Sequence, residues 1–326
     1  METGKIQADV QKASENLDLV RREIGLRIIG QKPLIDGMLM GLIAGGHVLV
    51  EGVPGLAKTL AVKTLAEVVD TGFKRIQFTP DLLPADLIGS MVYRRETGEF
   101  TARKGPVFTN IILADEINRA PAKVQSALLE AMEEHQVTIG DTTYSLPEPF
   151  FVLATQNPIE HEGTYPLPEA QLDRFVLKIE VSYPNSADEV SILRRMGKPA
   201  VIPVKKVLHP ALLAEIRTTA SGIFVDERIE EYIVAIIAAT RERDRAEYPF
   251  ARFIEYGSSP RGTIYLYRCA KINALFEGRS FVLPEDVKAV VHNVLRHRVL
   301  LSYEAESEAL TAHDVIDQIL KAVQVP

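Results

Sequence analysis

The feature that most constrains this chain is an eight-residue segment with the sequence Gly52-Val53-Pro54-Gly55-Leu56-Ala57-Lys58-Thr59. It follows the short apolar run 47–51 and leads into a helical pattern over 60–69. A strand, a glycine-bearing loop, Lys-Thr and a helix together form the context of a phosphate-binding loop. Because backbone N–H groups and the positive end of the helix dipole converge on one anion there, we predict that Lys58 neutralises nucleotide phosphates. The Thr59 hydroxyl is predicted to bind Mg²⁺.

Ala57 departs from the usual form of this loop, which has glycine directly before the lysine. Alanine has the highest helix propensity of all residues. Alanine would therefore be tolerated at position 57 if that residue already belonged to the helix. The alternative for the whole segment is an ordinary loop, containing glycine and proline, that joins a strand to a helix.

The composition favours a globular protein of two domains that works in a reducing compartment. The chain has 326 residues, of which 46% are hydrophobic and 25% charged, and this length suggests two domains. Its net charge of −7 predicts no bulk attraction to nucleic acid or to an anionic membrane. Cys269 is the single cysteine, so no intrachain disulfide is possible. With no secretory pattern in 1–16 and no apolar run long enough to span a bilayer, we predict a cytoplasmic protein without membrane insertion.

Five apolar runs without polar alternation predict the strands of a parallel sheet that is buried on both faces. They lie at 47–51, 75–78, 111–114, 150–154 and 175–181. Helical patterns separate them, and such β-α alternation predicts an α/β sandwich. Two further segments, 90–108 and 136–146, read as hairpins inserted into this order.

After residue 184 the strand-like runs give way to successive helical patterns, at 186–195, 210–219, 226–240, 260–276, 284–297 and 312–323. This change predicts two domains. Residues 1–184 would form the nucleotide-binding α/β domain, and residues 185–326 an all-helical lid domain.

Polar residues follow two of the predicted strands. Asp115 and Glu116 come directly after the third strand, and Asn157 follows the fourth. Since ligands bind at the carboxyl ends of strands in open α/β sheets, Asp115 fits a Mg²⁺ partner and Glu116 a base for the attacking water. Asn157 could contact both the γ-phosphate and that water. The alternatives are a strand-to-helix capping pair and an ordinary turn-forming Asn-Pro.

Two arginines fit roles in sensing or completing a phosphate site. Arg174 precedes the fifth strand and could reach a neighbouring subunit's γ-phosphate as an arginine finger. Arg261 follows Ser259 and Pro260, which predict a helix start, so it could fold over the nucleotide. The alternative for Arg174 is a surface arginine paired to Asp173 or Glu169. The alternative for Arg261 is an arginine that is hydrogen-bonded within its own domain.

These segments together resemble the AAA+ ATPases, and within them the MoxR type, over essentially the whole chain. The resemblance rests on residues 52–59, 113–121, 154–158 and 163–175, and Ala57 is similar to this family's variant of the loop. In the family's terms, residues 52–59 are Walker A, Asp115 and Glu116 Walker B, and Asn157 sensor 1. Arg174 resembles the arginine finger, Arg261 resembles sensor 2, and Ile29-Gly30 resembles the segment that lines the adenine. The hairpins resemble the helix-2 and pre-sensor-1 inserts of this branch.

The resemblance implies Mg²⁺-dependent ATP hydrolysis in a ring, usually a hexamer, whose sites are shared between neighbours. It also implies a chaperone-like role in the maturation or activation of partner complexes, often ones with von Willebrand factor A domains. Other functions remain open at this point: a nucleotide-dependent switch with little turnover, a chelatase-type motor subunit, or a motor subunit that acts on nucleic acid. The acidic balance weighs against the last of these.

Overall fold

The computed structural model describes residues 2–53, 55–158, 163–197, 202–244, 246 and 248–326. The helices are α1 (Glu2–Gly25), α2 (Lys32–Ala44), α3 (Lys58–Val68), α4 (Pro84–Ile88), α5 (Ala122–Glu134), α6 (Glu169–Leu172), α7 (Ser186–Met196), α8 (Pro210–Ser221), α9 (Glu227–Ala239), α10 (Pro260–Phe276), α11 (Pro284–Leu295), α12 (Tyr303–Ser307) and α13 (Ala312–Ala322). Short 3₁₀ helices cover Ile117–Arg119 and Pro249–Phe253.

The strands are β1 (Val48–Glu51), β2 (Phe73–Gln77), β3 (Gly89–Arg94), β4 (Glu99–Lys104), β5 (Ile111–Asp115), β6 (Gln136–Ile139), β7 (Thr142–Ser145), β8 (Phe151–Gln156), β9 (Leu177–Glu180), β10 (Ile254–Tyr256) and β11 (Leu300–Leu301). Five of them form one sheet in the order β2-β5-β8-β1-β9. The predicted parallel sheet is thereby confirmed, and its strands fall within two residues of the predicted runs at nearly every end.

The interior of this sheet is fully apolar. Residues 48–50, 111–114 and 151–154 have essentially no exposed surface, which is why these strands show no polar alternation. The register aligns the carboxyl ends of neighbouring strands: Glu51 on β1 lies opposite Gln156 on β8, and Gln77 on β2 opposite Asp115 on β5. Residues that follow these strands are therefore brought to one edge of the sheet.

Both predicted hairpins form separate two-stranded antiparallel sheets. One pairs β3 with β4 and the other pairs β6 with β7. The first hairpin carries several large apolar side chains on its surface, which are Met91, Val92, Tyr93 and Phe100. The C-terminal part of the chain is helical, as predicted, with one short antiparallel pair of β10 and β11 that the sequence patterns did not indicate.

Contacts divide the chain into two compact units. Unit 1 comprises residues 1–18, 169–178 and 214–326, and unit 2 comprises residues 19–168 and 179–213. Unit 2 holds the strands β1 to β8 and the second half of β9, with α2 to α5, α7, the last part of α1 from residue 19 and the first four residues of α8. Unit 1 holds α6, α9 to α13 and the first part of α1. The predicted domain boundary between residues 184 and 185 divides the sequence at one point, whereas these units are defined by contacts and each contains several stretches of chain. That boundary stays a prediction.

Candidate nucleotide-binding site

The predicted phosphate loop joins β1 to α3 within unit 2. Gly52 is buried, and a Cβ built there would lie 2.8 Å from the carbonyl oxygen of Val181, so only glycine fits without a shift. Gly55 has a φ of +88°, a conformation that residues with side chains rarely adopt. Pro54 lies outside the described residues. Gly52 is therefore required by the close approach of the Val181 backbone, and Gly55 is required by its positive φ.

Ala57 is not helical, so the condition under which helix propensity would explain the alanine is not met. Its φ of 56° and ψ of 18° lie in the left-handed region, and the helix begins at Lys58. For an L-residue this conformation costs roughly 1–2 kcal/mol, because Cβ crowds the following carbonyl oxygen. Glycine would suit the same backbone without that cost. The loop geometry, and not helix propensity, is what the residue at position 57 has to satisfy.

Lys58 points back into the loop. Its ammonium donates to the carbonyl oxygen of Gly52 at 2.6 Å. Burial lowers the pKa of Lys58, and the nearby carboxylates of Asp115 and Glu116 oppose that shift. A partly desolvated ammonium that is held by a neutral carbonyl is well placed to exchange this contact for a stronger one with an anion such as phosphate.

The carboxylates of Asp115 and Glu116 follow β5 and are fixed by Thr155 at the end of β8. The Thr155 hydroxyl donates to Asp115 Oδ1 at 2.7 Å and accepts the backbone N–H of Glu116 at 2.9 Å. Thr155 is 1% exposed, so these bonds are shielded from water. Glu116 itself has a φ of 57°, an uncommon conformation for a residue with a side chain. One buried hydroxyl thus holds both carboxylate residues in place.

Three polar side chains contact the outer oxygens of the same carboxylates. Arg75 donates to Asp115 Oδ2 at 2.7 and 3.0 Å. Gln77 and Arg119 donate to Glu116 Oε2 at 2.8 and 3.1 Å. Arg75 and Arg119 are about half exposed. The arginines of these ion pairs are therefore open to solvent, whereas the side chains of Asp115 and Glu116 are only 14% and 23% exposed.

These residues share one cleft of about 450 Å³, a volume in the range of small-molecule sites. Its lining consists of Gly55, Leu56, Ala57, Lys58, Thr59, Leu60, Arg75, Asp115, Glu116, Thr155, Gln156 and Asn157. The cleft combines an ammonium, a helix N-terminus, a hydroxyl and two carboxylates. The oxygens of Thr59 and Asp115 are the hard ligands that Mg²⁺ prefers, and the loop donors suit phosphate. The side chains present therefore fit a magnesium nucleotide.

Asn157 lies in the lining of this cleft and is 7% exposed, so it is brought to the residues with which it was predicted to act. Gly52 and Val53 belong to the same loop and are not among the described residues that line the cleft. Ile29 and Gly30 follow α1 in unit 2 and are not among the described residues that line the cleft. Gly30 has a φ of +71°, and a Cβ there would also lie 2.5 Å from Asp188 Oδ2 on α7, so both the backbone conformation and this contact favour glycine.

Arg174 and Arg261 lie in unit 1. Arg174 follows α6, and Arg261 occupies the first turn of α10. The predicted start of α10 is confirmed, because the Ser259 hydroxyl accepts the backbone N–H of Arg261 at 3.1 Å. Each of these arginines has at least one interaction partner.

Sequence reasoning did not identify Thr155, Arg75 or Gln77 as members of the site. Thr155 could have been found, since it lies at the carboxyl end of a buried strand beside Asn157. Arg75 and Gln77 carry no such signal, because their place depends on β2 pairing with β5. Strand order across a sheet is a tertiary property that no local pattern encodes.

A second group of potential metal ligands, His292, His313 and Asp317, lies on α11 and α13 in unit 1. The two imidazoles stack with centroids 3.9 Å apart, and His292 Nε2 lies 3.1 Å from Asp317 Oδ1. The buried Nδ1 of His292 has no hydrogen-bond partner among the described residues. Metal-bound histidines almost always donate that second nitrogen to a partner. We therefore assign no metal role to this group.

In the described part of the chain, no helix combines the length and the low charge that a bilayer span requires.

This fold and site define the class of P-loop nucleotide-binding proteins. The first strand of an open parallel sheet leads through a glycine-bearing loop into a helix, and carboxylates lie at the end of another strand of the same sheet. Comparison with known families extends this. A model of the ATPase family associated with various cellular activities (AAA) matches residues 47–177, and a model of the AAA lid domain matches residues 250–319.

Individual relatives cover nearly the whole chain. Chaperone MoxR1 of Mycobacterium tuberculosis is 48% identical over 93% of this chain and 81% of its own length. Protein MoxR of Methylorubrum extorquens is 30% identical over 94% of each chain. The crystal structure of a candidate ATPase from Cytophaga hutchinsonii, 49% identical, superposes with a TM-score of 0.92 over 100% of this chain and 99% of that one. The chain belongs to the MoxR family of AAA+ ATPases.

Proposed function

We propose that this protein hydrolyses ATP in a Mg²⁺-dependent reaction at the cleft between the phosphate loop and the ends of β5 and β8. The observation that carries the proposal is the convergence of Lys58, Asp115 and Glu116 on one cleft, with Thr155 holding both carboxylate residues. The membership of the chain in an ATPase family supports it.

Each residue has a distinct part in the proposed reaction. Lys58 and the N-terminus of α3 would bind the β- and γ-phosphates, while Thr59 and Asp115 would hold Mg²⁺. When bound, the metal neutralises charge that develops on the phosphoryl oxygens. Glu116 would accept a proton from the attacking water, and Asn157 would orient that water against the γ-phosphate. Ile29 and Gly30 are proposed to contact the adenine.

The site is proposed to be completed by a second copy of the chain in a ring, which we expect to be hexameric. Arg174 would reach the γ-phosphate of the neighbouring subunit, as an arginine finger, and Arg261 would fold over a bound nucleotide and report its state to the helical domain. In this division, residues 1–184 act as the nucleotide-binding domain and residues 185–326 as the lid.

ATP turnover in Lys58→Ala, Glu116→Gln and Arg174→Ala tests these assignments. We expect each to lose most activity, and the Arg174 change to lower turnover on the order of 10³-fold. Lys63→Ala is the matched control, because this lysine lies on the same helix, exposed and outside the cleft. Wild-type rates in all three variants would refute the site. A single turnover without further phosphate release would indicate a nucleotide-dependent switch instead.

We further propose that turnover serves a chaperone-like step on a partner protein complex, as the name of the relative Chaperone MoxR1 suggests. A partner with a von Willebrand factor A domain is our specific expectation. The Glu116→Gln variant should hold ATP without hydrolysing it and so retain such a partner. Retention that depends on ATP and is lost in Lys58→Ala would support this role. Equal retention by both variants, with or without ATP, would contradict it.

A further inference from the structure

The segment that carries Arg174 groups with the C-terminal helices in unit 1, and its last two residues begin strand β9. Residues 169–178 belong to unit 1 together with residues 214–326, although they lie between two stretches of unit 2 in the sequence. The contacts within unit 1 that hold this segment centre on Arg298, which follows α11.

Arg298 is 3% exposed, and it directs its guanidinium at the backbone on either side of Arg174. Its Nη2 donates to the carbonyl oxygens of Asp173 and Phe175, at 2.8 and 2.5 Å. Its Nη1 lies 3.3 Å from the carbonyl oxygen of Val176. Since the residues before and after Arg174 are both held by one planar group, the backbone of Arg174 has little freedom to move separately.

The charge of Arg298 is balanced by Asp173. Arg298 Nε donates to Asp173 Oδ1 at 2.8 Å. Burial lowers the pKa of Arg298, and Asp173 opposes that shift. A buried arginine that loses its carboxylate partner is strongly unfavourable, so the pair is held together once the surrounding helices have packed.

The other oxygen of Asp173 reaches the helix that carries Arg261. The Ser259 hydroxyl donates to Asp173 Oδ2 at 2.7 Å and accepts the backbone N–H of Arg261. One turn on, a Cβ at Gly262 would lie 3.3 Å from Arg298 Cδ and 2.0 Å from the Ser258 hydroxyl. The first turn of α10 is thus packed directly on the same arginine.

His297 adds a further contact to the same segment. Its Nε2 lies 3.1 Å from the carbonyl oxygen of Phe175 and 2.8 Å from Arg298 Nη1. Burial, with the charge of Arg298 next to it, lowers the pKa of His297 well below its usual value. The ring is therefore neutral, and its Nε2 either donates to the carbonyl or accepts from the guanidinium.

We infer that Asp173 and Arg298 position Arg174, and that they hold it on one rigid group with the first turn of α10, which carries Arg261. This inference rests on the proposed function, in which Arg174 completes the site of a neighbouring subunit. A displacement of the first turn of α10 would then be transmitted through Ser259 and Asp173 to the backbone of Arg174. Arg298 would act through the backbone of Arg174, since it is not among the described residues that line the cleft.

The first test replaces Arg298 with lysine, which keeps the charge and loses the planar set of donors. A misplacement of about 1 Å at a reacting group can lower turnover on the order of 10²-fold, so we expect kcat to fall by about this factor with little change in the KM for ATP. Arg279→Lys is the matched control. Arg279 pairs with the buried Asp286 in the same unit, and its described contacts do not include residues 169–178.

The decisive test uses mixed rings. Glu116→Gln subunits do not turn over but carry an intact Arg174, so they can complete the sites of their neighbours. We expect an excess of Glu116→Gln to restore turnover per subunit in Arg298→Lys as it does in Arg174→Ala. If the lysine variant fails to fold, as judged by thermal unfolding, Asp173→Asn replaces it in the same mixtures.

The outcomes separate the inference from the proposal beneath it. Recovery of both variants supports the positioning role of Arg298. Recovery of Arg174→Ala alone overturns that role, because the defect of the Arg298 variant would then lie in its own subunit. Recovery of neither overturns the shared site itself. An equal loss of kcat in Arg279→Lys would show that the effect is one of general stability and would also overturn the inference.

Discussion

Ala57→Gly should make this protein more stable, which is the reverse of the usual effect of placing glycine in a folded chain. The left-handed conformation at Ala57 costs an L-residue roughly 1–2 kcal/mol, and glycine removes this cost. Glycine also loses about 0.5–1 kcal/mol more backbone entropy on folding than alanine does. Ala57 is exposed, so its methyl group contributes little packing. The balance is a gain of about 0.5–1 kcal/mol.

Denaturant unfolding of the purified variants measures this gain as a shift in midpoint at constant slope. Ala127→Gly is the control within the same compact unit, because Ala127 lies in the middle of α5. There we expect a loss of about 1 kcal/mol. Ala57→Val should also lose stability, since a β-branched side chain is a poor fit to positive φ. If both glycine variants lose stability equally, the left-handed conformation at position 57 is refuted.

Three other changes follow from the structure. Thr155→Val should lower the free energy of unfolding by about 1–3 kcal/mol, because it leaves the backbone N–H of Glu116 and one oxygen of Asp115 unpaired; ATP turnover should fall with it, and an unchanged rate would argue against Thr155 as their support. Gly52→Ala should cost about 1–3 kcal/mol through overpacking against the backbone, measured by thermal unfolding, and an unchanged midpoint would contradict that close approach. Burial lowers the pKa of His47 to about 4, so its neutral form stabilises the fold above pH 6.5 and that contribution is lost as pH falls toward 4. The free energy of unfolding should therefore fall by about 2 kcal/mol between pH 7 and pH 5 because of His47. Denaturant curves at the two pH values should show a fall that is smaller by this amount in His47→Gln than in the wild type.

The sheet could be predicted from the sequence because its strands are buried on both faces. Runs such as 111–114 and 151–154 are apolar at every position, and this is the strongest local signal a parallel strand can give. The short pair β10 and β11 could not be predicted. Leu300 and Leu301 form a strand only because residues 254–256 lie beside them, and their own sequence reads equally well as the end of a helix.

The same contrast holds at the candidate site. Asp115 ends β5, Asn157 follows β8 directly, and Lys58 ends the loop after β1. Their convergence on one cleft could therefore be expected from topology alone. The conformation of Ala57 could not, because helix propensity and loop geometry make opposite demands on one residue and only the fold decides between them. The contacts of Asp173 with Arg298 and Ser259 join residues 125 and 86 positions apart, and a single sequence carries no sign of them.

The division of unit 1 among three separate stretches of chain has a consequence for synthesis. The Gln7 amide donates to the carbonyl oxygen of Gly278, 271 residues later, and the Ser14 hydroxyl donates to that of Phe276. The beginning of α1 therefore leaves the ribosome long before its partners exist, and contacts of such separation form late. A fragment that ends at residue 184 would contain the whole phosphate loop and yet leave residues 1–18 and 169–178 without the helices on which they pack. We expect it to need the remaining 142 residues of the 326-residue chain (326 − 184) for stable folding.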